Sequence, residues 1–260
     1  MKYSNKNILI TGSSSGIGKA LKEYFTSQGN KVIGISIADD EYNCDVGNNN
    51  QLDEAFEDIK KKHGKIDMVI NCAGFGLYGT LELTKPELIQ KQYDVNVIGI
   101  VNIIQHSIPL LSDDARIINI SSVSALFPLP FRAFYCSSKS AVSMLSDCLR
   151  IELSKTNIQV TAICPCDVRT NFSKNRQKSY ETNKKYGNAV KACVDKIEQT
   201  DHKRMPVEKA VRKLTKIIEK KKLKPQYIIG AKEKILYHLQ KFIPKSCMLK
   251  IMERKFFKTK

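Results

Sequence analysis

The segment from Asn7 to Gly29 constrains the fold more than any other. Asn7 to Thr11 (N-I-L-I-T) is a short apolar run, and the glycine-rich T-G-S-S-S-G-I-G of Thr11 to Gly18 follows at once. Ile17, Leu21 and Phe25 then recur on one helical face until Gly29 stops it. A strand, a glycine loop and a helix start in that order offer an anion bare backbone and the free N–H groups of a first helical turn. A pyrophosphate needs both.

The alternation continues along the chain. Lys31 to Ile37 reads as a second strand; Cys44-Asp45-Val46 is a short element reached through a loop, and Gln51 to Lys62 reads as a helix. Asp67 to Asn71 is a strand, Lys85 to Leu111 one long helix holding Asn96, and Arg116 to Ser121 a strand that delivers Ser122. A helix over Ala133 to Lys155 and a strand over Ile158 to Cys164 follow. Residues 171–205 are polar and weakly patterned, a loop whose length fits a lid or binding loop. A helix at Pro206 to Lys222, a strand at Pro225 to Ile229, and helices at Lys232 to Phe242 and Ser246 to Phe257 close the chain. Strands apolar throughout, alternating with helices, imply an α/β fold: a doubly wound parallel sheet of Rossmann type, covered on both faces. The predicted organisation is one catalytic domain over 1–230, with 231–260 as a basic amphipathic extension of it.

The candidate chemistry stands just after strand ends, where ligands bind in such sheets. On a helix from Ala133, Tyr135 and Lys139 lie one turn apart on the same face. A free phenol has a pKa of about 10, and an ammonium one turn away favours its phenolate. Ser122, at the end of a buried strand, can hold a substrate oxygen beside that phenol. Together they make a proton-transfer site for an alcohol or ketone.

Composition excludes other classes. No apolar run reaches the ~18 residues of a membrane span, and the start of the chain lacks the flanks of a signal peptide; a cytoplasmic protein is expected. The eight cysteines lack paired C-x-x-C spacing and the four histidines form no ligand pattern, so reduced thiols and no metal are expected. Net charge is +17, and residues Lys203 to Lys260 hold 19 Lys+Arg against 4 Asp+Glu, which accounts for nearly all of it. No nucleic-acid recognition motif accompanies that charge.

With these residues identified, the chain resembles the short-chain dehydrogenase/reductase family over residues 7 to about 230. The resemblance rests on Thr11 to Gly18, Asn71-Cys72-Ala73-Gly74, Asn96-Val97-Ile98-Gly99, Ser122, and Tyr135 with Lys139, in the family's order and spacing. It implies an NAD(P)-dependent oxidoreductase in which Tyr135 is the general acid/base. Lys139 would lower its pKa and bond the nicotinamide ribose, Ser122 would orient the substrate oxygen, and Asn96 would hold a relay water. Further cofactor contacts are implied at Gly12, Ser14, Ser15, Gly16, Ile17 and Gly18, at Asn71, Ala73 and Gly74, and at Pro165, Val168 and Thr170. Asp45 and Val46 would meet the adenine.

Two positions depart from the family pattern. Cys166 follows Pro165 where the family usually has glycine, so a residue with a Cβ must make that bend. Ser36 stands where NAD-dependent members carry an acidic residue, which leans toward NADP(H) over NAD(H). The basic residues expected for a 2′-phosphate are nonetheless absent at Ser15 and Ile37, and Asp39 and Asp40 would disfavour it if they faced it.

Leu126, Phe127, Leu129, Phe131, Phe134 and Phe172 form a candidate substrate wall, and equally serve as ordinary core. The first reading fits a small-molecule alcohol or ketone of steroid, retinoid or other lipid-like kind, and the stretch is similar to hydroxysteroid and retinol dehydrogenases of the family. A 3-oxoacyl reductase meeting an acidic carrier protein, and a non-catalytic dinucleotide sensor, are the alternatives. The basic tail suits packing over the cleft, packing against a second subunit, or peripheral contact with an anionic membrane. The resemblance implies a homodimer or homotetramer.

Overall fold

The computed structural model describes residues 3–170, 172, 176–199, 202 and 204–257. Its centre is a seven-stranded parallel sheet. In chain order the strands are β1 (Asn7–Thr11), β2 (Lys31–Ser36), β3 (Tyr42–Asn43), β4 (Ile66–Asn71), β6 (Leu111–Ile120), β7 (Gln159–Pro165) and β11 (Gln226–Ile229), arranged β3-β2-β1-β4-β6-β7-β11. β1 pairs with β2 on one side and β4 on the other, so the strand order reverses there and a crevice opens at the carboxyl ends.

Alternate residues of each strand feed opposite cores. Leu9, Val69 and Ile117 pack under α2 (Asn49–His63), α4 (Gly99–Ser107) and α5 (Ala133–Glu152). Ile8, Ile10, Met68, Ile70, Ile118 and Ile120 pack under α1 (Gly16–Ser27) and α7 (Val207–Ile218). Apolar residues at both alternations are what a doubly covered parallel sheet requires.

The predicted boundaries shift in four places. The short element expected at Cys44 to Val46 lies earlier, as β3. The long helix predicted over Lys85 to Leu111 is divided: α3 (Pro86–Tyr93), a π-helical segment over Asp94–Ile98, α4, and a 3₁₀ turn over Ile108–Leu110. Pro109 has no N–H to continue the α-helical ladder, and Leu111 already pairs with Ile66. β6 therefore begins well before Arg116. The expected loop over 171–205 contains β9 (Gln177–Lys178), α6 (Ala189–Glu198) and β10 (Met205–Pro206), although some of its residues lie outside the described set. β9 pairs with β5 (Leu77–Tyr78), and β10 with β8 (Val168–Arg169), in two small parallel ladders above the crevice.

At the C-terminus, α8 (Ala231–Leu239) and α9 (Lys245–Phe257) lie on the link between β6 and α5. Met248 and Met252 bury themselves against Phe127, with Leu126 and Leu129 beside them. Ile235, Leu239 and Phe242 stay exposed. Among the described residues no helix is long and apolar enough to cross a membrane.

Candidate active site

The glycine loop is fixed to the next strand end by Thr11, whose Oγ1 accepts from the N–H groups of Cys72 (3.0 Å) and Ala73 (3.1 Å). Gly12 takes φ +66°, and a Cβ there would stand 2.9 Å from the Ala73 backbone, so only glycine fits the crossing. Ser15 is the N-cap of α1 but its side chain makes no capping bond, leaving the first-turn N–H groups directed at the cleft.

One cleft, enclosing about 1070 Å³ with the part open to solvent, runs from this loop to the α5 head. Gly12, Ser15, Gly16, Ile17 and Gly18 line it at one end, and Ala73, Gly74, Pro165, Val168 and Thr170 along its floor. Ser122, Tyr135 and Lys139 line the same space. A bare-backbone loop, an uncapped helix start and a long cleft fit a dinucleotide.

Six of the sequence-predicted residues lie outside the cleft lining: Ser14, Ser36, Asp45, Val46, Asn71 and Asn96. Ser36 is buried and its Oγ accepts from the Ser14 N–H at 3.1 Å, so both stiffen the loop from behind. Asn71 lies inside the sheet, donating to Asn119 at 2.8 Å. Asp45 accepts from the Gly47 N–H at 2.9 Å, and buried Val46 packs in the core; neither lines this cleft. Cys166 lines the cleft with an ordinary negative φ, so the bend where glycine was expected needs no left-handed residue. Burial raises its thiol to about 11, with the Glu233 and Asp167 carboxylates adding to the effect, which keeps it protonated.

Within the candidate catalytic group, Ser122 Oγ accepts from the Ser124 N–H at 3.0 Å, leaving its own proton free to donate. Burial pushes the Tyr135 phenol up to about 12; the Ser122 hydroxyl and then the Arg176 guanidinium oppose this, Asp167 adds to the rise, and Arg132 opposes it. Burial also brings Lys139 down to about 8. Its Nζ donates to the Ile120 carbonyl at 3.0 Å. Lys139 shares the cleft with the phenol, and the Arg176 and Arg132 guanidiniums lie near enough to favour the phenolate as well.

Asn96 is wholly buried in the π-helical segment. Its Oδ1 accepts from the Phe75 N–H at 3.0 Å, and its Nδ2 donates to the Phe75 carbonyl (3.0 Å) and to Ser138 Oγ (3.2 Å). The side chain therefore clamps the irregular segment that follows Gly74, beside the cleft rather than in it. Such π segments are frequent at functional sites.

Of the apolar wall expected for the substrate, only Phe172 lines the cleft, its ring 6.0 Å from that of Tyr135. Phe127, Leu126 and Leu129 belong instead to the cluster under α9. Among the lining residues that sequence reasoning missed, Leu77 is apolar, while Tyr78, Arg132, Asp167 and Arg176 are polar or charged. No spacing rule brings them together, because they come from separate segments.

The strand order and the cleft define an α/β enzyme scaffold of Rossmann type, with its site at the topological switch point. Residues 39–181 match the family model described as short chain dehydrogenase. Over 252 residues, 92% of this chain and 93% of the relative, the sequence is 32% identical to the probable short-chain type dehydrogenase/reductase VdlC of Helicobacter pylori. It is also 32% identical over 253 residues to the 3-ketodihydrosphingosine reductase of Bacteroides thetaiotaomicron, covering 93% and 94% of the two chains. A solved short-chain dehydrogenase of Burkholderia cenocepacia, in complex with NADP, shares the fold over 99% of this chain and 100% of its own, with a TM-score of 0.75 at 22% identity. The chain belongs to the short-chain dehydrogenase/reductase family of NAD(P)-binding oxidoreductases.

Proposed function

We propose that the protein moves a hydride between a nicotinamide dinucleotide and the carbonyl or secondary alcohol of a lipid-like substrate, with Tyr135 as general acid/base. The observation that carries this reading is the convergence of the Tyr135 phenol, the Ser122 hydroxyl and the Lys139 ammonium on the cleft that the glycine loop lines. The dinucleotide supplies or accepts the hydride when bound. In the reducing direction Ser122 donates a hydrogen bond to the carbonyl oxygen, and Tyr135, kept protonated by burial, delivers its proton to that oxygen as negative charge develops. Lys139 and the two guanidiniums then offset the phenolate. Asn96 acts as a positioning residue by holding Phe75. The lipid-like character is supported by Leu77 and Phe172 in the cleft and by the name of the Bacteroides relative.

NADP(H) is the favoured dinucleotide. Ser36 presents no carboxylate, and Asp40 is turned inward, its Oδ1 2.6 Å from Lys22 Nζ, so it does not face a 2′-phosphate. Tyr135→Phe is the direct test, assayed with NADPH and NADH against a panel of aliphatic ketones. The wild type is expected to turn over with NADPH preferred, and the variant to bind NADPH equally while losing about 100-fold or more of kcat. Undiminished turnover in the variant would overturn the assignment.

A further inference from the structure

Three segments distant in sequence meet at the substrate end of the cleft. Tyr78 lies on β5, Arg132 stands immediately before α5, and Arg176 immediately before β9. The Arg132 guanidinium is 4.7 Å from the Tyr78 ring centroid and that of Arg176 is 5.4 Å away, while Arg176 Nη1 donates to the Tyr78 hydroxyl at 3.0 Å. Both arginines line the cleft with Tyr135.

Two other arginines, Arg116 and Arg150, spend their donors on backbone carbonyls. Arg116 Nη1 donates to the Ile218 and Lys220 carbonyls at 2.5 and 2.6 Å, and Arg150 donates to Val160 and Leu223 at 2.5 and 2.9 Å. Arg132 differs. It is 6% exposed, its Nε is buried without a partner, and among the described residues its guanidinium makes no hydrogen bond and no ion pair. Arg176 has the single bond to Tyr78. Asp167 is the one carboxylate among the described residues that line the cleft, and it pairs with neither arginine within 4.0 Å. Two guanidiniums over one ring repel each other, and buried unspent donors are costly.

The backbone is bent to this arrangement. Phe131 takes φ +59°, a conformation that bulky residues avoid, and its carbonyl is held by the Gly79 N–H at 3.0 Å. That contact ties the residue before Arg132 to the residue after Tyr78. A planar guanidinium fork matches an oxyanion with two oxygens, which would satisfy donors and charge together.

We infer that Arg132 and Arg176 form an anion subsite for the carboxylate or phosphate of the substrate, so that the enzyme's substrate class is an anionic, lipid-like ketone or alcohol. The inference rests on the oxidoreductase reading above and deepens it.

The test compares straight-chain methyl ketones of about four to ten carbons that end in a carboxylate, a phosphonate, a methyl ester or an ammonium group. Assayed with NADPH, the acids of one length are expected to exceed their esters in kcat/KM by about tenfold or more, with the ammonium compounds poorest. In Arg132→Gln and Arg176→Gln the acid-to-ester ratio is expected to fall by about tenfold, through KM. Retained NADPH binding would show that these variants fold. Carboxylate and phosphonate arms distinguish the two oxyanions. Calorimetric titration of the NADP+-loaded protein with decanoate and methyl decanoate provides a second readout that does not need turnover. If no ketone is reduced but decanoate binding is lost in the variants, the oxidoreductase reading fails and the subsite stands. Esters equal to acids, decanoate bound no better than its ester, or anions that compete with NADPH instead of the ketone would each overturn the subsite.

Discussion

At the scale of single residues, the candidate catalytic group joins the proposed proton chemistry to stored instability. Lys139 is buried among the ends of β6 and β7, donates to one carbonyl, and is brought down to about 8 by burial. Its unfolded value is about 10.4, so between those values the unfolded chain binds more protons. Stability therefore rises with pH from near 8 toward 10.4, and below 8 the buried ammonium carries its full cost. Lys139→Met should hold or raise the melting temperature at pH 7 while reducing kcat by about 100-fold or more. Melting curves from pH 6 to 10 check this: the wild type gains on the variant as pH rises. A variant markedly less stable at pH 7 would contradict this account of the lysine.

At the scale of elements, β2, α1 and the glycine loop are latched by Asp40, a residue the sequence left as a possible deterrent to a 2′-phosphate. Asp40 accepts from Ser13 in the glycine loop and from Lys22 on α1 at 2.6 Å. Gly34 on β2 makes room for it, since a Cβ there would stand 1.9 Å from Asp40 Oδ1. Burial alone would raise this carboxyl, but the hydrogen bonds from Lys22 and Ser13 outweigh it and hold the pKa below the usual carboxylate value. A lowered folded value gives stability that is present above the unfolded pKa of about 3.9 and is lost as pH falls through the folded pKa. Asp40→Asn is expected to lower the melting temperature by a few degrees near pH 7. The gap to wild type should close under acid conditions. Measured melting temperatures that differ equally at pH 7 and pH 3 would exclude the latch.

At the scale of the whole molecule, α8 and α9 extend the body instead of hanging from it. Met248 and Met252 cover Phe127, and that cluster supports the link from Ser122 to the head of α5. Met252→Ala should cost about 2 kcal/mol in urea unfolding, the low end for a buried methionine in a small cluster. How much of this was legible beforehand depended on the range of the cause. The strand and helix pattern, the glycine loop and the Ser122, Tyr135 and Lys139 group were readable, because apolar periodicity and motif spacing are local properties of the chain. The division of the helix before Leu111 was half-readable through Pro109, whereas no local pattern marks the π segment at Asn96 or the bonds Asn96 makes to Phe75. Whether Asp40 faced the cofactor, and whether Phe127 faced the substrate, depended on partners far along the sequence. The sequence by itself determined the scaffold and marked the candidate proton-transfer group. Only the tertiary structure decided that Arg132, Arg176 and Tyr78 share one end of the cleft, since a charge takes its meaning from the groups that packing brings to it.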